Sequence, residues 1–219
     1  HLGQAEAVVL VTFVGSLEEI SDRYSVIFCD VWGVIHNGVA AFDPALVALA
    51  KAQSNGLAVV LITNAPRPAA GVKAQLDALG IVGGWDRIVT SGDVTRELIR
   101  QAPKRQFHLG PERDLAIFDD LDVELVEERE ASVVVCTGLY DDENDDPADY
   151  GEQLRRMRSR DLPMICANPD IVAERGNRHV WCAGALARDY GLMGGRPLIA
   201  RKPHRPIYDA AMAAAADAL

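Results

Sequence analysis

The sequence predicts an α/β protein built on a parallel sheet, with a second α/β unit inserted into its middle. Three observations carry this. Short apolar runs end in polar residues, as in SVIFCD at 25–30 and AVVLIT at 58–63, which is how strands covered on both faces of a parallel sheet read. Segments with helical spacing and helix-terminal residues separate these runs, so strand and helix alternate. The chain is also long, at 219 residues, enough for one large or two small domains.

The elements follow in order. Ser25 to Asp30 is the first strand, reads as fully buried, and places Asp30 at its carboxyl end. In the next stretch, GVIHNGV, Asn37-Gly38 between apolar residues is a hairpin signal and predicts a small flap. Asp43-Pro44 fits the start of a helix with an apolar stripe of Leu46, Val47, Leu49 and Ala50, ended by Asn55-Gly56. The second strand is Ala58 to Thr63, followed by Asn64, Pro66 and Pro68, and a helix from Ala69 to Leu79 closes at Gly80. Asp86 to Thr90 is a third strand, and Ser91-Gly92-Asp93 opens a helix to about Gln101.

The pattern then restarts. Phe107 to Gly110, Val123 to Val126, Ser132 to Thr137 and Met164 to Ala167 are further strands, with a charged helix from about Asp149 to Arg160. The acidic run Asp141 to Asp146 reads as a solvated loop. Near Pro197 a last strand, LIARKP, leads into a helix from His204 and is assigned to the first unit. This gives a core of residues 16–103 and 196–219, with residues 104–195 inserted beside it.

Composition narrows the function. The hydrophobic share of 49% and charged share of 25% are those of a globular chain and exclude collagen, disorder and coiled coil. Acids outnumber bases 32 to 22, a net charge of −10 with no basic stripe, so a small-molecule partner is expected and nucleic acid is not. The apolar stretch Ala7 to Gly15 is too short to span a bilayer and lacks the flanks of a leader, which predicts a cytoplasmic protein without membrane attachment. The four cysteines, Cys29, Cys136, Cys166 and Cys182, have no metal spacing and read as buried thiols. With no initiator Met and an end at Leu219 inside an Ala-rich helical pattern, the sequence is expected to be part of a longer product.

Ligands of open parallel sheets bind outside the carboxyl ends of the strands. Those ends carry Asp30, Thr63 with Asn64, and Lys202. A carboxylate nucleophile, hydroxyl and amide donors and a cation suit phosphoryl transfer through an aspartyl-phosphate. Each residue alone has a plainer reading: a capping acid, a loop amide, a surface lysine. Together they form a motif set. FCDVWGVIHNG, LITNAP, ICANPD and ARKPHRPIYDAA resemble, in order and spacing, the class IIA, NagD-like branch of the haloacid dehalogenase superfamily.

The resemblance implies a Rossmannoid parallel-sheet core with an inserted α/β cap of the C2 type, here residues 104–195. It implies Asp30 as nucleophile, Thr63 and Asn64 as phosphate ligands, Lys202 as the stabilising cation, and Mg2+ held by Asp30 and the Trp32 carbonyl. Asp170, Glu174 and Arg175 fall in the loop that would face substrate, and the cap is the surface through which a homo-oligomer would form. The expected activity is hydrolysis of a small phosphorylated metabolite, a phosphate monoester of the sugar phosphate or nucleotide kind.

Two departures matter. Trp32 stands where the family has a second Asp that protonates the leaving group, a step worth about 10²- to 10⁴-fold. The fourth, Gly-Asp motif is absent from this sequence. Trp32 has a plainer role packing against the flap or cap, and His36 is the alternative acid, weighed against a surface or packing role. The competing function is therefore a catalytically impaired member that binds a phosphorylated ligand. A dinucleotide oxidoreductase ranks third, for want of G-x-G-x-x-G or a P-loop.

Overall fold

The structure is a computed structural model and describes residues 13–175 and 178–219. Of the apolar stretch Ala7 to Gly15, residues 7–12 lie outside the described residues, as do the side chains of Glu174 and Arg175. Among the described residues no helix is long and apolar enough to cross a membrane.

In chain order the elements are α1 (Glu18–Ser21), β1 (Val26–Cys29), α2 (Asp43–Ser54), β2 (Ala58–Thr63), α3 (Ala69–Ala78), β3 (Arg87–Thr90) and α4 (Ser91–Gln101). There follow β4 (Arg105–Leu109), β5 (Glu124–Leu125), β6 (Val133–Cys136), α5 (Gly151–Ser159), β7 (Pro163–Cys166), β8 (Val172–Arg175), β9 (Arg178–Trp181), α6 (Ala183–Leu192), β10 (Arg196–Ile199) and α7 (Arg205–Ala216). They form a parallel three-stranded sheet, β1-β2-β3, a parallel five-stranded sheet, β10-β7-β6-β4-β5, and the antiparallel pair β8-β9.

The central strand β2 is buried along its whole length, and its period of two sends alternate side chains to opposite faces. Val59 and Leu61 join Leu49, Val72 and Leu76 from α2 and α3. Val60 and Ile62 join Val94 of α4 and Ile207, Ala211 and Ala215 of α7. In the second sheet, Val134 and Cys136 of β6 face Leu154, Met157, Leu186 and Tyr190 of α5 and α6, while Val133 and Val135 face Ile99 and Phe118. Helix α4 thus serves both sheets, Val94 on the first and Ile99 on the second. Thr90 caps it, its hydroxyl oxygen accepting the Asp93 N–H at 3.0 Å.

Three sequence expectations change. The run SVIFCD reads as a strand buried on both faces, yet β1 is an edge strand of half-buried residues, because strand order, which composition does not encode, decides coverage. The strand at 196–199 pairs with β7, from Arg196 opposite Pro163 to Ile199 opposite Cys166, rather than with the first sheet. Helix α6 is the crossover that returns the chain parallel beside β7. The Asn37-Gly38 flap is smaller than a pair of strands: Asn37 N–H donates to the Ala40 carbonyl, and a single bridge joins His36 to Ala41.

Candidate active site

The carboxyl ends of β1 and β2 open, with the segment after β10, into a cleft of about 500 Å³ lined by Asp30, Trp32, His36, Thr63, Arg67 and Lys202, among others. Asp30 follows β1 directly. Its Oδ1 lies 2.6 Å from Lys202 Nζ and accepts the Val31 N–H at 2.7 Å. Lys202 also donates to the Ile62 carbonyl at 2.9 Å, and its side chain is only 18% exposed against 47% for Asp30. The cation is therefore held in place while the carboxylate faces the cleft.

Thr63 is buried at the end of β2, and its Oγ1 accepts the Ala65 N–H at 3.2 Å, which leaves the hydroxyl proton for an acceptor in the cleft. Asn64, expected as a phosphate ligand, has both polar atoms of its side chain on the backbone of Lys202. Its Oδ1 accepts the Lys202 N–H at 2.8 Å and its Nδ2 donates to the Lys202 carbonyl at 3.4 Å, so the amide brackets the lysine backbone. This bracket spans the sequence distance between β2 and residue 202 and fixes Lys202 against Asp30.

Trp32 is 67% exposed at the cleft, and its indole lies against the flap at Gly38, where a Cβ would sit 3.6 Å from Nε1. His36 is 2% exposed, the reverse of a surface residue, and its Nδ1 accepts the Gly38 N–H at 2.8 Å. Cys29 is half-buried, with its thiol pushed up by burial and then by the Asp30 carboxylate, so it stays protonated and is no rival nucleophile.

Asp170 is not brought to this cleft. It forms an ion pair with Arg201, next to Lys202, and its N–H donates to Asn168 Oδ1 at 3.2 Å. Glu174 and Arg175 sit at strand positions of β8 opposite β9, where the sequence suggests only a loop.

Sequence reasoning misses two features. Arg67 adds a second cation to the cleft, its Nη1 donating to Gln75 Oε1 at 3.4 Å, and no local pattern marks it. A second cleft, of about 450 Å³, shares Pro66 with the first and is lined by Thr95, Arg96, Arg113, Thr137 and Asn168. Thr137 and Asn168 lie just past the carboxyl ends of β6 and β7, so the strand-end rule was the available signal. Gly92 keeps the two clefts adjacent: a Cβ there would meet the Pro66 carbonyl oxygen at 2.2 Å.

Among the described residues no three His, Cys, Asp or Glu side chains stand close enough to hold a metal ion. Hard oxygens at the cleft include Asp30 Oδ2, which makes none of the described hydrogen bonds, and Thr63 Oγ1. Trp32, whose backbone carbonyl is the other expected ligand, also lines it. Magnesium commonly takes one or two carboxylates and substrate oxygens and keeps several waters. This hard-oxygen donor set fits such an ion.

A family model described as haloacid dehalogenase-like hydrolase matches residues 27–124. No curated protein matches the chain. A solved haloacid dehalogenase-like hydrolase from Brucella suis 1330 is 60% identical, covers 94% of this chain and 80% of its own, and superposes with a TM-score of 0.71. A 4-nitrophenylphosphatase from Thermotoga maritima is 23% identical over 87% of this chain and 73% of its own, with a TM-score of 0.61. NagD from E. coli K-12 is 21% identical over 88% and 74%, with a TM-score of 0.62. The last two share the fold.

Proposed function

This chain belongs to the haloacid dehalogenase-like hydrolase family, and on that premise we propose that it is a magnesium-dependent phosphatase of the class IIA, NagD-like branch. Its substrate is a small phosphate monoester in the cytoplasm. One observation carries the reading: a strand-end carboxylate, Asp30, with a fixed ammonium 2.6 Å away, in a cleft that also holds the free hydroxyl proton of Thr63.

Asp30 Oδ2 attacks phosphorus, the bond to the ester oxygen breaks, and the phosphoryl group rests on Asp30 until water releases it as inorganic phosphate. Lys202 and the Thr63 hydroxyl bind the phosphoryl oxygens, and Asn64 holds Lys202 in register for this. Asp30 and the Trp32 carbonyl would hold Mg2+, which offsets the repulsion between carboxylate and phosphate. In this reading the five-stranded sheet with its helices serves as the cap, and the pairing of β10 with β7 supports counting Arg196–Ile199 in it. The second cleft, which shares Pro66 with the first, would receive the leaving group.

A second reading has its own observation. The exposed indole of Trp32 supplies no acid, which favours a protein that binds a phosphorylated ligand and turns it over poorly. A screen of sugar phosphates, nucleotides and pyridoxal phosphate with magnesium separates the two. The phosphatase reading expects phosphate release that chelation abolishes; tight binding without release would replace it by the second.

A further inference from the structure

His36 is a part of the cleft that this reaction leaves unused. Its ring is 2% exposed, yet it lines the cleft with Asp30 and Lys202. The turn that follows is closed by Asn37, whose Oδ1 accepts the Val39 and Ala40 N–H groups at 3.0 and 2.8 Å. The Gly38 backbone, at a φ of 90° that only glycine takes without strain, presents its N–H to His36 Nδ1 at 2.8 Å. Because Nδ1 accepts, the ring proton sits on Nε2. Among the described residues Nε2–H has no hydrogen-bond partner, and it is not sealed from the cleft.

We propose that His36, through Nε2–H, is the neutral hydrogen-bond donor to the ester oxygen of the bound phosphoryl group, a contact that rests on the phosphatase reading above. A neutral imidazole held in one tautomer polarises an oxygen without giving up its proton. Here the backbone N–H at Nδ1 has no proton to pass on, so releasing the Nε2 proton would leave an imidazolate. The ester oxygen therefore gains a hydrogen bond from His36 and takes its proton from water as the bond to phosphorus breaks. This gives the cleft a leaving-group donor beside a Trp32 that carries no acid.

Two substitutions separate this role from stapling the turn. In His36→Asn, the amide oxygen still accepts the Gly38 N–H but no donor reaches the Nε2 position. In His36→Gln, a donor returns to that position while the Gly38 bond is lost. Removing one such donor is worth about 10²- to 10³-fold in kcat. We expect His36→Asn to keep the melting temperature, to lose at least about tenfold in kcat on alkyl phosphates and less on aryl phosphates, and His36→Gln to recover part of the loss. Wild-type activity in His36→Asn, or a loss confined to His36→Gln, overturns the proposal.

A second measurement does not use turnover. In 15N-labelled wild type with magnesium, saturation with inorganic phosphate should shift the His36 Nε2 resonance and retain the Nε2–H tautomer; an unmoved resonance overturns the contact. A protein that hydrolyses no phosphate ester removes the phosphatase reading, and the phosphate titration still decides for or against His36.

Discussion

Lys202 is held by three groups at once: its ammonium by Asp30 and the Ile62 carbonyl, its backbone by Asn64. Replacing it by Met keeps the stem and removes the charge, so Lys202→Met should fold normally and lose about 10²- to 10³-fold in kcat/KM. A change of only a few-fold would place Lys202 outside the reaction. At Trp32 the expected signature is kinetic. Without a side-chain acid, aryl phosphates should be cleaved much faster than alkyl phosphates, with a burst followed by slow release from Asp30. Trp32→Asp should raise alkyl phosphate turnover, and since the indole is 67% exposed its removal opens no core cavity. Equal rates on both ester classes with no burst would contradict this account of Trp32.

At the level of elements, helix α5 is tied to the 3₁₀ turn Glu128–Glu130 by Arg156, which donates to both Glu128 oxygens at 3.0 and 2.9 Å. The Arg156 guanidinium holds the Glu128 carboxyl below its ordinary value of 4.5. A depressed acid contributes stability that is complete above its unfolded pKa and is lost as pH falls through the folded one. Glu128→Gln should therefore lower the melting temperature at neutral pH and leave it less sensitive to pH below about 4.5; parallel curves for both proteins would refute the coupling. Elements with strong local signals were legible, among them β2 with its apolar run and α4 from its Ser91-Gly92-Asp93 opening, although the cap is Thr90, one residue earlier. Helix α6 was not, because Ala183, Gly184, Ala185, Leu186 and Ala187 are all buried and leave no amphipathic stripe to read. The sheet that β10 joins was equally hidden, since four residues carry no record of their partner. The convergence of Asp30, Thr63 and Lys202 on one cleft was legible from the strand-end rule. The amide bracket of Asn64 and the burial of His36 depend on residues brought together by folding and left no trace in sequence.

On the scale of the whole molecule, two parallel sheets share helix α4, and the first cleft is built from segments as distant as residues 30 and 202. Such a site exists only when the first sheet and the returning chain that carries Lys202 are both folded. The family membership and the cleft lead to one chemical claim, that phosphate passes through Asp30. The most direct test is to mix the magnesium-loaded protein with an aryl phosphate, quench in acid during the burst, and map the phosphoryl group by mass spectrometry. The account predicts one acid-stable, hydroxylamine-labile phosphoryl group on the peptide containing Asp30, absent in Asp30→Asn. Turnover that persists in Asp30→Asn, or a phosphoryl group on another residue, would contradict it.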